Sequence, residues 1–298
     1  KEAVRVSPEH PVLIDQFLQG AVEIDMDLLG DGTNSELGGI LEHVERAGIH
    51  SGDSACILPP QNLTSGVLRR LEEQGKALAK ELRVKGLMNI QFAVKDDEIF
   101  LIEVNPRASR TVPFVSKAIG HPLAKYATWL MLGLKLSEIG FSYEAPLTVS
   151  VKETVFPFVS FSGADTELGP EMKSTGEVMG RGKSLEEAFI KAQIAAYQAE
   201  IKEGYVFIGV TDQDKQEMIP AAFEFQQSGR EILATAGTFK VLQKAGITNI
   251  KKTSLDRKVV GNIFEYLDRD EVALIVNTTR SRKRSIDSTH IRRVALLH

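Results

Sequence analysis

Glu103, Asn105, Arg107 and Arg110 are the residues whose types and spacing could do chemistry. They fall in the run Ile102-Glu103-Val104-Asn105-Pro106-Arg107-Ala108-Ser109-Arg110. Side chains alternate along a strand, so Glu103 and Asn105 point to one face. A carboxylate and an amide there form an oxygen-ligand set for magnesium, which takes few protein ligands and keeps waters and phosphate oxygens. Arg107 and Arg110 follow where the charge of a transferring phosphoryl group needs neutralising. A lone E-x-N-x-R also suits a solvated strand end, so the preceding strand decides.

That strand is Gly86-Leu87-Met88-Asn89-Ile90-Gln91-Phe92-Ala93-Val94-Lys95, and it returns through Asp96-Asp97-Glu98 into Ile99-Phe100-Leu101-Ile102. An Asp-rich turn between β-rich runs predicts a hairpin. A two-residue turn would pair Gln91 with Ile102 and scatter apolar residues over both faces. A three-residue loop, Asp96 to Glu98, pairs Gln91 with Glu103. It gathers Ile90, Phe92, Val94, Phe100, Ile102 and Val104 on one apolar face, and register follows the face that must be buried. The second register is therefore expected. It brings Gln91, Glu103 and Asn105 together beside two arginines, the outline of a metal–nucleotide site.

The elements around this hairpin read as α/β. The chain has 298 residues, enough for roughly two domains. Its 36 Lys+Arg against 40 Asp+Glu give a formal net charge of -4 with mixed signs, which argues against a nucleic-acid or membrane-surface protein. The single cysteine, Cys56, excludes an internal disulfide and suits a reducing, cytoplasmic setting. Lys1 is no initiator Met, and the sequence stops in the apolar run Val294-Ala295-Leu296-Leu297-His298, so it reads as a piece of something larger.

In chain order, residues 11–18 read as a short strand. Residues 21–27 alternate apolar and acidic, with Asp25 and Asp27 expected to be solvated. Residues 37–45 read as the next strand. Gly48-Ile49-His50-Ser51-Gly52-Asp53-Ser54 is a polar loop whose glycines let backbone approach a ligand. Asn62-Leu63-Thr64 is a helix entry. Residues 64–83 form a helix with Val67, Leu68, Leu71, Ala77, Leu78 and Leu82 as its core stripe. Residues 113–134 continue as helices buried through Leu123, Ala127, Leu130 and Met131, with Trp129 as packing. Residues 137–148 are a connection and 149–156 a strand. Met179-Gly180-Arg181-Gly182-Lys183-Ser184 is no P-loop, because position 177 is Glu177 where that pattern needs glycine. Ser184 and Glu187 instead form a capping box. From Tyr205, strands at 205–210, 231–235 and 272–279 alternate with helices at 214–227, 238–245 and 259–267, which predicts a parallel Rossmann-like sheet. Thr235-Ala236-Gly237-Thr238, between strand and helix, is either a capped helix or an anion site.

The order Gln91, Glu103, Asn105-Pro106-Arg107 resembles that of ATP-grasp enzymes. Residues 103–125, His50-Ser51-Gly52-Asp53-Ser54-Ala55 and Gly169-Pro170-Glu171-Met172-Lys173-Ser174-Thr175-Gly176-Glu177-Val178-Met179-Gly180 resemble the large chain of carbamoyl-phosphate synthases. Arg110-Thr111-Val112-Pro113-Phe114 resembles the second synthetase half of that chain. The resemblance implies the C-terminal part of an ATP-grasp fold over 1–136, a connecting and packing segment over 137–202, and a truncated methylglyoxal-synthase-like regulatory domain over 203–298. It implies a ligase that phosphorylates carbamate with ATP, works with a small glutamine amidotransferase subunit, and serves pyrimidine or arginine synthesis. By the same resemblance Gln16 and Leu18 lie near the adenine and Glu23 at the ribose. Gly48, Ile49, His50 and Ser51 line the nucleotide, Gln91, Glu103 and Asn105 hold Mg²⁺ or Mn²⁺, and Arg107 and Arg110 neutralise charge. Glu45, Asp53 and Glu153 would take the amino groups of ornithine. Lys215, Thr235, Thr238, Asn277 and Thr279 would meet a nucleotide effector's phosphate, although residues 247–261 depart from bacterial members, where a lysine contributes. Other ATP-grasp ligases, biotin carboxylase among them, and a non-catalytic effector-binding module are the alternatives. The 1–298 piece alone is expected to be inactive.

Overall fold

The computed structural model describes residues 16–158, 166–197 and 202–278, with Ile291 and Val294. The chain divides into two compact units, Lys1–Phe156 with Leu168–Gln198 and Pro157–Glu167 with Ala199–His298.

In the first unit, β1 (Val22–Asp31), β2 (Ser35–His43), β3 (Cys56–Leu58), β4 (Lys85–Lys95), β5 (Glu98–Asn105), β6 (Val149–Val155) and β7 (Gly176–Gly182) form one sheet in the order β5-β4-β1-β2-β3-β6-β7. Its neighbouring strands are antiparallel. Helix α1 (Ser65–Glu81) opens on Thr64, whose hydroxyl accepts the Val67 N–H at 3.3 Å. It buries Val67, Leu71, Gly75 and Ala79 against Ile24, Met26, Leu28 and Ile90. Gly75 and Ala79 replace the expected Ala77 and Leu82 in the stripe, and Leu82 is 52% exposed. A small residue is needed at 75, because a Cβ there would come within 2.5 Å of the Met26 sulfur.

The other sheet face carries α2 (Val112–Ile119), α3 (Leu123–Met131) and the short α4 (Leu136–Ile139), packed on Leu29, Leu41, Cys56 and Leu58. Leu123, Ala127 and Leu130 are buried as expected, but Met131 is 69% exposed. It lies one residue, about 100° of helix rotation, beyond Leu130.

The hairpin combines both registers weighed from sequence. Asp96 and Asp97 have φ of +50° and +62°, so the turn has two residues and pairs Lys95 with Glu98. A bulge between Gln91 and Phe92 then shifts the ladder: Phe92 faces Leu101, yet Gln91 faces Glu103 and Asn89 faces Asn105. The expected three-residue loop is wrong, while the expected pairing at the site holds. Ile102 is the extra residue and is 55% exposed rather than buried. Beyond the bulge the faces exchange, so Ile99 rather than Phe100 joins the core with Val104. Bulges favour sheet edges, and β5 is an edge strand.

Residues 149–155 and 176–182, set within the connecting segment by the sequence, complete this sheet. Helix α5 (Leu185–Tyr197) lies on them through Ala188 and Ala192. The stretch refused as a P-loop is strand followed by a helix cap: Ser184 Oγ accepts the Glu187 N–H at 3.3 Å, but Glu187 accepts the Lys183 N–H at 2.8 Å instead of the Ser184 N–H that a full capping box uses. Residues 16–18 are irregular rather than strand; residues 11–15 lie outside the described residues.

The second unit is a parallel sheet of β8 (Tyr205–Gly209), β9 (Ile232–Thr235), β10 (Ile250–Thr253) and β11 (Val272–Asn277) in the order β10-β9-β8-β11. Helices α6 (Met218–Gln227), α7 (Ala236–Lys244) and α8 (Ile263–Asp268) accompany it. Val206, Ile208, Ile232 and Ala234 are buried on one face, Phe207 and Leu233 on the other, the two-sided burial of a parallel sheet. Strand β10 went unread in the sequence because its central residues, Lys251 and Lys252, are exposed.

Candidate functional site

Three adjacent strands present a polar grid on one face. Asp25, Gln91 and Glu103 stand side by side across β1, β4 and β5, as do Asp27, Asn89 and Asn105. Gln91 Nε2 lies 3.3 Å from Asp25 Oδ1, and Asn105 Nδ2 donates to Glu103 Oε1 at 2.8 Å. The grid forms one side of an open cleft of roughly 150 Å³, whose lining includes His50, Ser51, Arg107, Arg110 and Lys152. A carboxylate flanked by two amide side chains is a hard-oxygen donor set, which suits Mg²⁺ or Mn²⁺ once the amide oxygens turn inward.

Asp25 and Asp27 correct the sequence reading, being buried at 2% and 1% exposure instead of solvated. Burial works to raise the Asp25 carboxyl, but the hydrogen bond and charge of His43 prevail and hold it below its ordinary value. His43 Nε2 is 2.8 Å from Asp25 Oδ2. Burial disfavours the charged imidazole, yet the Cys56 sulfur, Asp25 and Glu23 raise His43 well above its usual range. For Asp27 burial prevails, pushing the carboxyl up to about 6 against hydrogen bonds from Thr111, Ser109 and Asn89. Asp25, His43 and Cys56 bring their ligand atoms within 4.8 Å of one another. The Lys152 charge also acts on Asp25 and opposes a cation there.

The loop of residues 48–54 approaches this face. Gly48 N–H donates to Glu23 Oε1 at 2.9 Å, and Gly52 N–H donates to His50 Nδ1 at 3.0 Å. Glu23, Gly48, Ile49, His50 and Ser51 are thus brought together, with the Phe17 ring over Gly48, where a Cβ would lie 3.1 Å from it. Gln16 is exposed and Leu18 half-buried beside that ring. Segment 169–175 closes on the loop: His50 N–H donates to Gly169 O at 2.8 Å and Ser174 Oγ to Gly52 O at 2.8 Å. The Arg110 guanidinium lies against the Met172 sulfur.

Sequence reasoning missed Asn89, Ser109, Thr111 and Lys152. Lys152 is 1% exposed, and its ammonium donates to Ser51 O at 3.3 Å. Its position on β6, far along the chain from the other groups, left no local signal.

Of the three acids expected to gather, Glu45 and Glu153 do. Glu153 is pushed up to about 7, first by burial and then by the neighbouring Glu45 charge, against the Thr154 N–H, Lys152 and Gln193. Glu45 is raised by burial. Asp53 differs: it is fully buried, and its two carboxylate oxygens accept the Lys173 and Ser174 N–H groups at 2.8 Å each. That carboxylate anchors segment 169–175.

In the second unit Thr235 precedes α7 and its hydroxyl donates to Thr238 Oγ1 at 3.2 Å. The Lys215 ammonium crosses Gly237, where a Cβ would lie 2.6 Å from it, and pairs with Asp212. Asn277 ends β11, with its Oδ1 3.4 Å from where a Gly209 Cβ would sit. Thr279 lies outside the described residues.

Residues 1–139 match the family described as carbamoyl-phosphate synthase L chain, ATP binding domain, and residues 217–298 match the MGS-like domain. The chain is 50% identical over 299 residues to the carbamoyl phosphate synthase large chain of Methanobrevibacter smithii, covering 99% of this chain and 28% of that one. Over its whole length the chain resembles carbamoyl-phosphate synthase large chains, with the ATP-binding domain followed by the MGS-like domain. The large chain of Pseudomonas putida is likewise 50% identical over 299 residues, covering 100% of this chain and 28% of that one. The chain therefore spans 28% of the length of these curated relatives. Among solved structures, the biotin carboxylase domain of a single-chain bacterial carboxylase is similar at TM-score 0.49 and 16% identity, over 61% of this chain and 46% of that one. Among the described residues no helix is long and apolar enough to cross a membrane.

Proposed function

We propose that the first unit is the carbamate-phosphorylating part of a glutamine-dependent carbamoyl-phosphate synthase large chain. In the proposed reaction a carbamate oxygen attacks the γ-phosphorus of ATP in line; the new P–O bond forms as the β–γ bridging bond breaks and ADP leaves. The observation that carries this reading is the pairing of Gln91 with Glu103, with Asn105 beside them, in one cleft with Arg107, Arg110 and the His50–Ser51 loop. Gln91, Glu103 and Asn105 would hold Mg²⁺ or Mn²⁺, which neutralises nucleotide phosphate charge when bound. Arg107 and Arg110 complement the equatorial oxygens of the transferring group, an electrostatic contribution made where charge develops. Glu23 accepts the Gly48 N–H and would meet the ribose, with Gln16, Leu18, Ile49 and Ser51 along the nucleotide.

The ligase would work in the cytoplasm with a small glutamine amidotransferase subunit, for pyrimidine or arginine synthesis. Glu45 and Glu153 would take an amino group of ornithine. Lys215, Thr235, Thr238, Asn277 and Thr279 would bind the phosphate of a nucleotide effector on the MGS-like domain. Residues 1–298 alone are expected to form no ADP from ATP and carbamate. In the complete large chain with its glutamine amidotransferase subunit, Glu103→Gln should lower phosphoryl transfer by about 10²–10³-fold. Its melting temperature should not move, because Glu103 is exposed. Wild-type-like turnover by Glu103→Gln would refute the assignment.

A further inference from the structure

Ser109 and Thr111 flank Arg110, and both hydroxyls end on one buried carboxylate. Ser109 Oγ donates to Asp27 Oδ1 at 2.7 Å, Thr111 Oγ1 donates to Oδ2 at 2.6 Å, and Asn89 Nδ2 donates to Oδ1 at 3.0 Å. The two hydroxyl oxygens also lie 2.6 Å apart. Asp27 is 1% exposed, and its backbone is held between Gly39 of β2 and Asn89 of β4. It is a fixed point in the middle of the sheet. The segment it grips is otherwise at the surface, with Pro106, Arg107, Ala108 and Arg110 all exposed.

An exposed arginine samples many rotamers, and a catalytic group displaced by about 1 Å can lose about 10²-fold in rate. Binding the residues on either side of Arg110 to one interior carboxylate removes backbone freedom where it matters. We infer that Asp27 is a positioning residue of the phosphoryl-transfer site, acting through Ser109 and Thr111 to aim Arg110 at the transferring group. This rests on the carbamate-phosphorylating reading above and deepens it. Asp27 does not itself touch substrate: it is buried beneath Ser109, Thr111 and Asn89, which line the cleft in its place.

The hydrogen count suggests a conservative variant. Three short O···O contacts link Asp27, Ser109 and Thr111, but the two hydroxyls supply only two hydrogens. An asparagine at 27 brings an N–H for the third contact and keeps an oxygen for Asn89. Asp27→Ala keeps neither, and Ser109→Ala/Thr111→Val removes the same links while leaving the carboxylate in place.

The test uses the holoenzyme and the reverse of the proposed step, ATP formation from ADP and carbamoyl phosphate. Asp27→Ala and Ser109→Ala/Thr111→Val should each lower kcat by about 10- to 100-fold, with KM for ADP changed less than about 3-fold. Asp27→Asn should stay within about 3-fold of wild type. In an Arg110→Met background, Asp27→Ala should cause no further loss, because residues acting as one unit are non-additive. If the two losses multiply, or if Asp27→Asn is as impaired as Asp27→Ala, Asp27 does not act through Arg110. Those results, in an enzyme whose wild type makes ATP, overturn the positioning role alone. A wild type that makes no ATP overturns the phosphorylation reading, and the role with it.

Discussion

Replacing Glu153 by Gln should stabilise the protein, and the gain should grow with pH. Glu153 is 5% exposed, and burial with the nearby Glu45 charge raises its carboxyl from 4.5 to about 7. A folded-state value above the unfolded one means the neutral form suits the fold. The associated stability is therefore complete at low pH and is lost as pH rises through about 7. From those two values the loss is about 1 kcal/mol at pH 5 and about 3 kcal/mol at pH 8.5. Glutamine avoids ionisation and keeps the contacts. Its oxygen can accept the Thr154 N–H, now 3.2 Å from Glu153 Oε1, and its amide can face Gln193, whose own amide is free to turn from its present 2.6 Å donation. Urea denaturation at pH 5, 7 and 8.5 should show Glu153→Gln gaining on wild type to about 3 kcal/mol at the top of the range. A variant less stable than wild type at pH 8.5, or a difference that ignores pH, would refute the reasoning. A bound diamine that pairs with Glu153 should lower its pKa and narrow the gap between variant and wild type.

Two further outcomes test packing and regulation. Gly180→Ala should destabilise the first unit by about 2–3 kcal/mol in the same denaturation assay, because a Cβ at 180 would collide with the Ala188 carbonyl and Ala192 backbone of α5; an unchanged midpoint would show that α5 is free to shift. Gly237→Ala should displace the Lys215 ammonium, 2.6 Å from the new Cβ, and weaken calorimetric binding of a nucleoside monophosphate by about tenfold or more. Equal affinity would remove Lys215 from the effector site.

Strand alternation is a local property, so Glu103 and Asn105 could be placed on one face from the sequence alone. The same holds for the Thr64 cap, the Ser184 cap and the alternating strands and helices after Tyr205, each set by residues a few positions apart. Tertiary structure decided what depends on distant neighbours. Asp25 and Asp27 look solvated in an alternating strand, but they are buried because groups from residues 43, 89, 109 and 111 converge on them. The bulge that reconciles a two-residue turn with the Gln91–Glu103 pair answers to burial along the whole hairpin. The meeting of Glu45, Glu153 and Lys152 awaits β6 joining the sheet beside β3. Periodicity tells which side of a strand a residue takes; only the packed neighbours on that side decide whether it meets water, a proton or another charge.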